Sequence, residues 1–117
     1  MLVIPDTNFL MYLTKYKLWH EFENLYEVII LPEVYFELEV LKQNLVLDLI
    51  KKFKINFLRS NKERLNADKA IIENAKELKA VNREFIVATL DKDLVKRLKK
   101  LDVKILTIRQ NKYLKVT

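Results

Sequence analysis

Twice in 117 residues an apolar run stops at an acid. The first is Leu2-Val3-Ile4-Pro5 ending at Asp6, followed by Thr7 and Asn8 and then a new apolar periodicity at Phe9, Leu10 and Leu13. The second is Phe85-Ile86-Val87-Ala88-Thr89, with Asp91 two residues further on. A run without polar alternation suits a strand buried on both faces, which occurs where helices cover both sides of a parallel sheet. Ligands of such sheets bind beyond the carboxyl ends of the strands, so Asp6 and Asp91 each stand where a site forms. If the two strands are neighbours and the strand order reverses between them, both carboxylates line one crevice. Each acid has a second available role, as cap of the helix that follows it.

The rest of the chain continues the alternation. Helices are predicted from Asn8 to about Tyr16 and from Leu18 to Leu25, then a β-branched strand over Glu27–Leu31 that Pro32 stops. Pro32 suits the first turn of a helix reaching about Leu41, and a further helix runs from Asn44 to Phe53. A short strand at Ile55–Leu58 precedes a long helix capped by Asn66 and ending near Lys79. After Phe85–Thr89, Asp91 caps a helix over Lys92–Leu101, and Val103–Ile108 is the last strand. The whole chain, 1–117, reads as one domain of the α/β class, with a central, mostly parallel five-stranded sheet and helices on both faces.

Absences narrow the chemistry. Without cysteine there is no disulfide and no thiolate metal site. Without glycine there is neither a P-loop nor a dinucleotide fingerprint. The one serine, Ser60, and the one histidine, His20, are far apart and Ser60 lacks a nucleophile-elbow context. No apolar run approaches the ~18 residues of a membrane span, and the start lacks the basic region of a secretion signal; a cytoplasmic protein with no membrane partner is expected. The options left are carboxylates, with or without a hard metal ion. The net charge is +6, with cations crowded at Lys51-Lys52-Lys54, Arg59-Lys62-Arg64 and Lys92-Lys96-Arg97-Lys99-Lys100. Any single cluster reads as a solvated helix face; the excess over the whole chain favours a polyanion, most simply nucleic acid.

Sixteen acids need a physical filter. With Val34, Leu38, Leu41 and Leu45 as a buried stripe, Glu37 lies about 60° from its centre at 100° per residue and reaches inward, while Glu39 faces solvent. Glu33 falls between, suited to the helix N-terminus. In the helix after Asn66, Asp68 shares the face of Ile71, Ala75 and Leu78, whereas Glu73 and Glu77 point away. An acid on a core-facing stripe is costly unless paired or metal-bound, although a helix N-terminus also stabilises one. Asp93 stays open as a partner of, or substitute for, Asp91. Four converging carboxylates repel one another unless neutralised, and an oxygen-only donor set suits Mg²⁺ or Mn²⁺, ions whose chemistry is phosphodiester hydrolysis.

Four segments then resemble, in order, the acidic motifs of a PIN domain: Ile4-Pro5-Asp6-Thr7-Asn8, Leu31-Pro32-Glu33-Val34-Tyr35-Phe36-Glu37-Leu38, Ala67-Asp68-Lys69-Ala70-Ile71 and Ile86-Val87-Ala88-Thr89-Leu90-Asp91-Lys92-Asp93-Leu94. The resemblance covers nearly the whole chain. From Phe85 through Arg109-Gln110-Asn111-Lys112-Tyr113-Leu114 it is similar to the branch holding VapC-like proteins and the PIN endonuclease of pre-rRNA processing. It implies a three-layer α/β/α sandwich and a metal-dependent ribonuclease, with Asp6, Glu37, Asp68 and Asp91 as the catalytic, metal-binding acids and Asn8 and Thr89 supporting them. Asp68 then holds a second ion or orients the attacking water, and the products carry a 5′-phosphate and a 3′-hydroxyl. Lys92, Arg109 and Lys112 are expected to hold the RNA backbone. The missing glycines depart from the family's loops.

Two functions are therefore expected to compete: an active endoribonuclease, either the toxin of a toxin–antitoxin pair or an rRNA-processing nuclease, and an idle RNA- or protein-binding module of ribosome assembly. A toxin implies an antitoxin partner. The early aromatic residues Tyr12, Tyr16, Trp19 and Phe22 exceed what one small core needs, and predict a homodimer contact as the alternative to core packing.

Overall fold

The computed structural model describes residues 1–57 and 66–117, arranged as β1(Leu2–Pro5), α1(Thr7–Lys15), α2(Trp19–Leu25), β2(Glu27–Ile30), α3(Pro32–Val40), α4(Asn44–Lys52), β3(Asn56–Phe57), α5(Ala67–Ala80), β4(Phe85–Ala88), α6(Lys92–Lys100), β5(Lys104–Arg109) and β6(Tyr113–Val116). Ser60, the Arg59-Lys62-Arg64 cluster and the expected strand end at Leu58 lie outside the described residues.

The strands form one sheet in the order β3-β2-β1-β4-β5-β6. All neighbours are parallel except β5 and β6, which pair antiparallel. All five expected strands are present, and β6 adds a sixth at the edge. Its hairpin turns through Gln110 and Asn111 at φ 54° and 55°, with Lys112 N–H donating to the Arg109 carbonyl at 3.0 Å. Positive φ at both central residues matches the twist of paired strands.

From β1 the chain moves one way to β2 and β3, then crosses back to place β4 against the other edge of β1. Right-handed crossovers therefore put α1–α4 on one face and α5–α6 on the other, giving three layers. The order reverses between β1 and β4, whose register sets Pro5 opposite Ala88. Asp6 and Thr89 thus emerge side by side at the carboxyl edge. Both strands are buried along their whole length, as their unbroken apolar sequences require.

The early aromatic residues are mostly used inside the chain. Trp19 stacks on Phe53 with centroids 5.9 Å apart, meets Phe22 edge-on, and donates its indole N–H to Thr14 Oγ1 at 2.8 Å. Phe22 also packs on Phe9. For Trp19 and Phe22 the dimer contact is corrected to core packing; Tyr12 stays exposed, stacked on the half-buried Tyr16. The expected stripe through Leu41 and Leu45 also fails, since these residues are 48% and 63% exposed. α3 ends at Val40 and Lys42 turns the chain at φ 55°, so α4 starts on a new axis and buries Val46 and Ile50 instead.

Five helices end in the same way without glycine. Lys17, Lys42, Lys54, Asn82 and Asp102 have φ between 54° and 58° just past the caps of α1, α3, α4, α5 and α6. In each, the next residue's N–H reaches back five positions: Leu18 to Leu13, Gln43 to Leu38, Ile55 to Ile50, Arg83 to Leu78 and Val103 to Leu98, all at 2.9–3.1 Å. These are Schellman caps, and in three of them the closing pair is apolar on both sides. Among the described residues no helix is long and apolar enough to cross a membrane.

Candidate active site

Asp6 fills both roles open to it. As N-cap of α1 its Oδ1 accepts the Phe9 N–H at 2.7 Å. Its Oδ2 accepts the hydroxyl of Thr89 across the β1–β4 seam. Thr89 Oγ1 in turn accepts the Asp91 N–H at 3.1 Å, and Asp91 Oδ1 caps α6 by accepting from the Asp93 and Leu94 N–H groups at 2.8 and 3.1 Å. A run of hydrogen bonds therefore ties the two strand-end acids through one buried threonine.

Asp6 is 4% exposed. Burial pushes its carboxyl up to about 6; the Thr89 and Phe9 hydrogen bonds pull it down, and the charges of Asp68 and Asp91 push it up again. Those last two influences place Asp68 and Asp91 within electrostatic reach of Asp6. Asp68 sits in the first turn of α5 but is exposed, so its expected burial is corrected: Ala67, Ala70 and Ile71 take the buried positions. In that first turn the core covers the side of Ala67 and Ala70 and leaves Asp68 open.

Glu37 is half-buried on α3, which packs against both α1 and α5, and Glu39 is exposed as expected. Glu33 is half-buried in the first turn of α3, Asp93 is exposed in the first turn of α6, and Asn8 is exposed at the second position of α1. Among the described residues no three His, Cys, Asp or Glu side chains come together as a ready-made cation cage. Asp68 and Asp91 thus each lie within electrostatic reach of Asp6, and Glu37 lies on α3. Oxygen donors around a desolvated acid fit a hard divalent ion that keeps much of its water.

Lys92, Arg109 and Lys112 are all exposed. Thr89 N–H pairs with the Leu106 carbonyl at 3.1 Å, so β5 continues three residues past that level to Arg109. At ~3.3 Å per residue the β5–β6 turn stands about 10 Å beyond the edge where the acids lie. Thr7 is 3% exposed, and its hydroxyl has no hydrogen-bond partner among the described residues. A buried orphan hydroxyl beside an acid is a group waiting for a ligand or a water; in sequence Thr7 carries no signal beyond adjacency to Asp6.

Residues 26–114 match the Fcf1 family model. The chain is 33% identical over 132 aligned positions to Ribonuclease VapC4 of Methanocaldococcus jannaschii, covering 97% of this chain and 95% of that protein. The PIN domain endonuclease Utp24 superposes with a TM-score of 0.81 at 27% identity, covering 98% of this chain and 90% of the other.

Proposed function

The chain belongs to the PIN-domain family, on the Fcf1 branch, and from that premise we propose that it is a metal-dependent endoribonuclease of the cytoplasm that hydrolyses RNA phosphodiester bonds. The observation that carries the reading is Asp6, buried at the β1–β4 switch point, held by Thr89 and sharing its field with Asp68 and Asp91.

In this reading Asp6, Glu37 and Asp91 hold Mg²⁺ or Mn²⁺ directly or through waters. The Thr89 hydroxyl and the Phe9 N–H fix the Asp6 carboxylate in one orientation, each engaging one oxygen. The Asp91 carboxylate is fixed in the same sense by the first turn of α6. The bound ion supplies charge neutralisation and Lewis-acid polarisation of the scissile phosphate. Asp68, exposed in the first turn of α5, would hold a second ion or orient the attacking water. Thr7 Oγ1, buried and without a protein partner among the described residues, would donate to an ordered water. Lys92, Arg109 and Lys112 hold the backbone along the rim.

The test is cleavage of structured and single-stranded RNA with Mg²⁺, Mn²⁺ or EDTA. Activity is expected with the ions, lost in EDTA and lost in Asp6→Asn; cleavage that survives Asp6→Asn removes the reading. A second reading is favoured by the exposure of Asp68 and the absence of a preformed three-carboxylate cage among the described residues: a PIN-like module that binds RNA or protein without turnover. It predicts salt-dependent RNA affinity with no products under any ion.

The resemblance of the four motifs allows two settings, a toxin with its antitoxin and an rRNA-processing nuclease. An antitoxin-like reading frame beside the gene selects the first. A homodimer through Tyr12 and the exposed Val40, Leu41 and Leu45 of α3–α4 completes the proposal; light scattering at assay concentration tests it.

A further inference from the structure

A groove between α5 and α6 leads away from the acids. It is lined by Lys69, Ile72, Glu73, Lys76 and Arg97. Ile72 is buried, while the three cations are exposed. Residues 69, 72, 73 and 76 recur at helical spacing and so share one face of α5. Three cations against one acid leave the groove at +2. Glu73 contacts Lys76 at 3.7 Å with both side chains open to solvent, an ion pair weak enough for a phosphate to displace.

One end of this groove, at Lys69, adjoins Asp68 in the chain. Asp68 and Lys69 follow Ala67 in the first turn of α5, α6 is capped by Asp91, and both acids act on Asp6. Both helices then run from the carboxyl edge toward the opposite edge, because each leads into a strand parallel to β1. Lys69 and Lys76, seven residues apart, are separated by about 10 Å along the axis, roughly three steps of a stacked strand at ~3.4 Å each.

We propose that the α5–α6 groove carries the single-stranded RNA backbone that flanks the phosphate at the acid site, with Lys69, Lys76 and Arg97 as its phosphate contacts. The proposal rests on the ribonuclease reading and names where that substrate lies. The lining contacts phosphates and offers little to a base edge, so the contact is independent of sequence. The groove contributes affinity and register, and the acids supply the chemistry.

The experiment measures binding of a short, labelled, mixed-sequence single-stranded RNA to the full chain in EDTA, across a salt series. In the variant Lys69→Gln/Lys76→Gln/Arg97→Gln, the slope of log K against log salt is expected to flatten by about 2, at ~0.7 per lost phosphate contact. Affinity at low salt should fall by about tenfold or more. A control with the same loss of charge, Lys15→Gln/Lys51→Gln/Lys115→Gln, should keep the slope and affinity of the unaltered chain. All six side chains are exposed, and a thermal melt verifies that each variant is folded.

Equal losses in both variants would mean net charge alone binds RNA, and no loss in the groove variant would mean the strand lies elsewhere; either overturns the proposal. Failure of the unaltered chain to bind RNA does so as well. A groove variant that keeps RNA affinity but loses affinity for poly-glutamate assigns the groove to an acidic polypeptide instead. Because binding is read without cleavage, the ribonuclease reading stands or falls separately, on Asp6→Asn.

Discussion

Thr89 donates its hydroxyl to Asp6 Oδ2 across the seam between β4 and β1, joining residues 83 positions apart. The Thr89 hydroxyl oxygen in turn accepts the Asp91 N–H at 3.1 Å, so one side chain positions both strand-end acids. It also works against burial, which is the largest influence on Asp6 and pushes its carboxyl up to about 6. Removing Thr89 therefore changes both the geometry and the acidity of the site.

Thr89→Val keeps the shape and deletes the donor. Without that hydrogen bond Asp6 should titrate above its present value of about 6, and the acid limb of the pH–rate profile should move up with it. Leaving Oδ2 buried without its donor should also cost about 1–3 kcal/mol of stability at neutral pH. Thr89→Ser should restore both. An acid limb that stays in place in Thr89→Val would mean that Asp6 is not the group it reports.

Burial of Asp6 has a stability consequence with a definite sign. Its ordinary value is 3.8 and its folded value about 6, so between those values the folded chain binds more protons than the unfolded one. Stability should therefore fall as pH rises through that window, and the loss is complete above pH 6. Asp6→Asn still caps α1 and should be more stable than the unaltered chain at pH 8 in EDTA, by at most about 3 kcal/mol. The gain should vanish near pH 4. Urea unfolding at a series of pH values reads this directly, and a difference that is flat from pH 4 to pH 8 would contradict it.

A divalent ion that binds only the folded state should offset the cost of burying the Asp6 charge near Asp68 and Asp91. Mg²⁺ or Mn²⁺ at ~100 times its dissociation constant should add about 2.7 kcal/mol, seen as a higher melting temperature. Asp6→Asn should abolish this ion effect. Asp68→Asn should raise the melting temperature even in EDTA, because it removes a charge that acts on Asp6. If melting is indifferent to ions and to Asp68→Asn alike, Asp6, Asp68 and Asp91 act as three separate helix-terminus acids.

Much of this architecture was legible in the sequence because it is specified locally. Asp6, Asn66 and Asp91 each announce a cap and each makes it, and the apolar runs of β1 and β4 can only be central strands. The pairing of those two strands was a condition in the sequence and a fact in the fold. Other features were hidden because they depend on backbone conformation rather than residue type. β6 was missed because its hairpin turns on Gln110-Asn111, without the glycine that marks such turns. The stripe through Leu41 and Leu45 misled because Lys42 breaks the helix while looking like an ordinary helical residue. Asp68 looks core-facing in the sequence because it shares a helical face with Ile71 and Ala75, yet in the first turn of α5 Ala67 and Ala70 take the buried side. Thr7 gave no warning, since an orphaned hydroxyl is defined only by what surrounds it.

The five glycine-free Schellman caps lead to a prediction that touches no site residue. A side chain in the left-handed region brings Cβ close to the following carbonyl, at a cost of about 1–2 kcal/mol. Asparagine and aspartate soften that cost at Asn82 and Asp102, but lysine at Lys17, Lys42 and Lys54 does not. These three side chains are exposed, so replacing them removes no core contact. Glycine instead raises the entropy of the unfolded chain, which opposes part of the gain. The net expectation is that Lys17→Gly, Lys42→Gly and Lys54→Gly each stabilise by roughly 0.5–1 kcal/mol. Because the turns are separate, the triple variant should be close to additive. Urea unfolding should show a higher midpoint with an unchanged slope; Lys42→Ala, which keeps Cβ, should show no such gain. Stabilisation by alanine as large as by glycine would mean that lost lysine charge, not relief of the left-handed turn, is responsible.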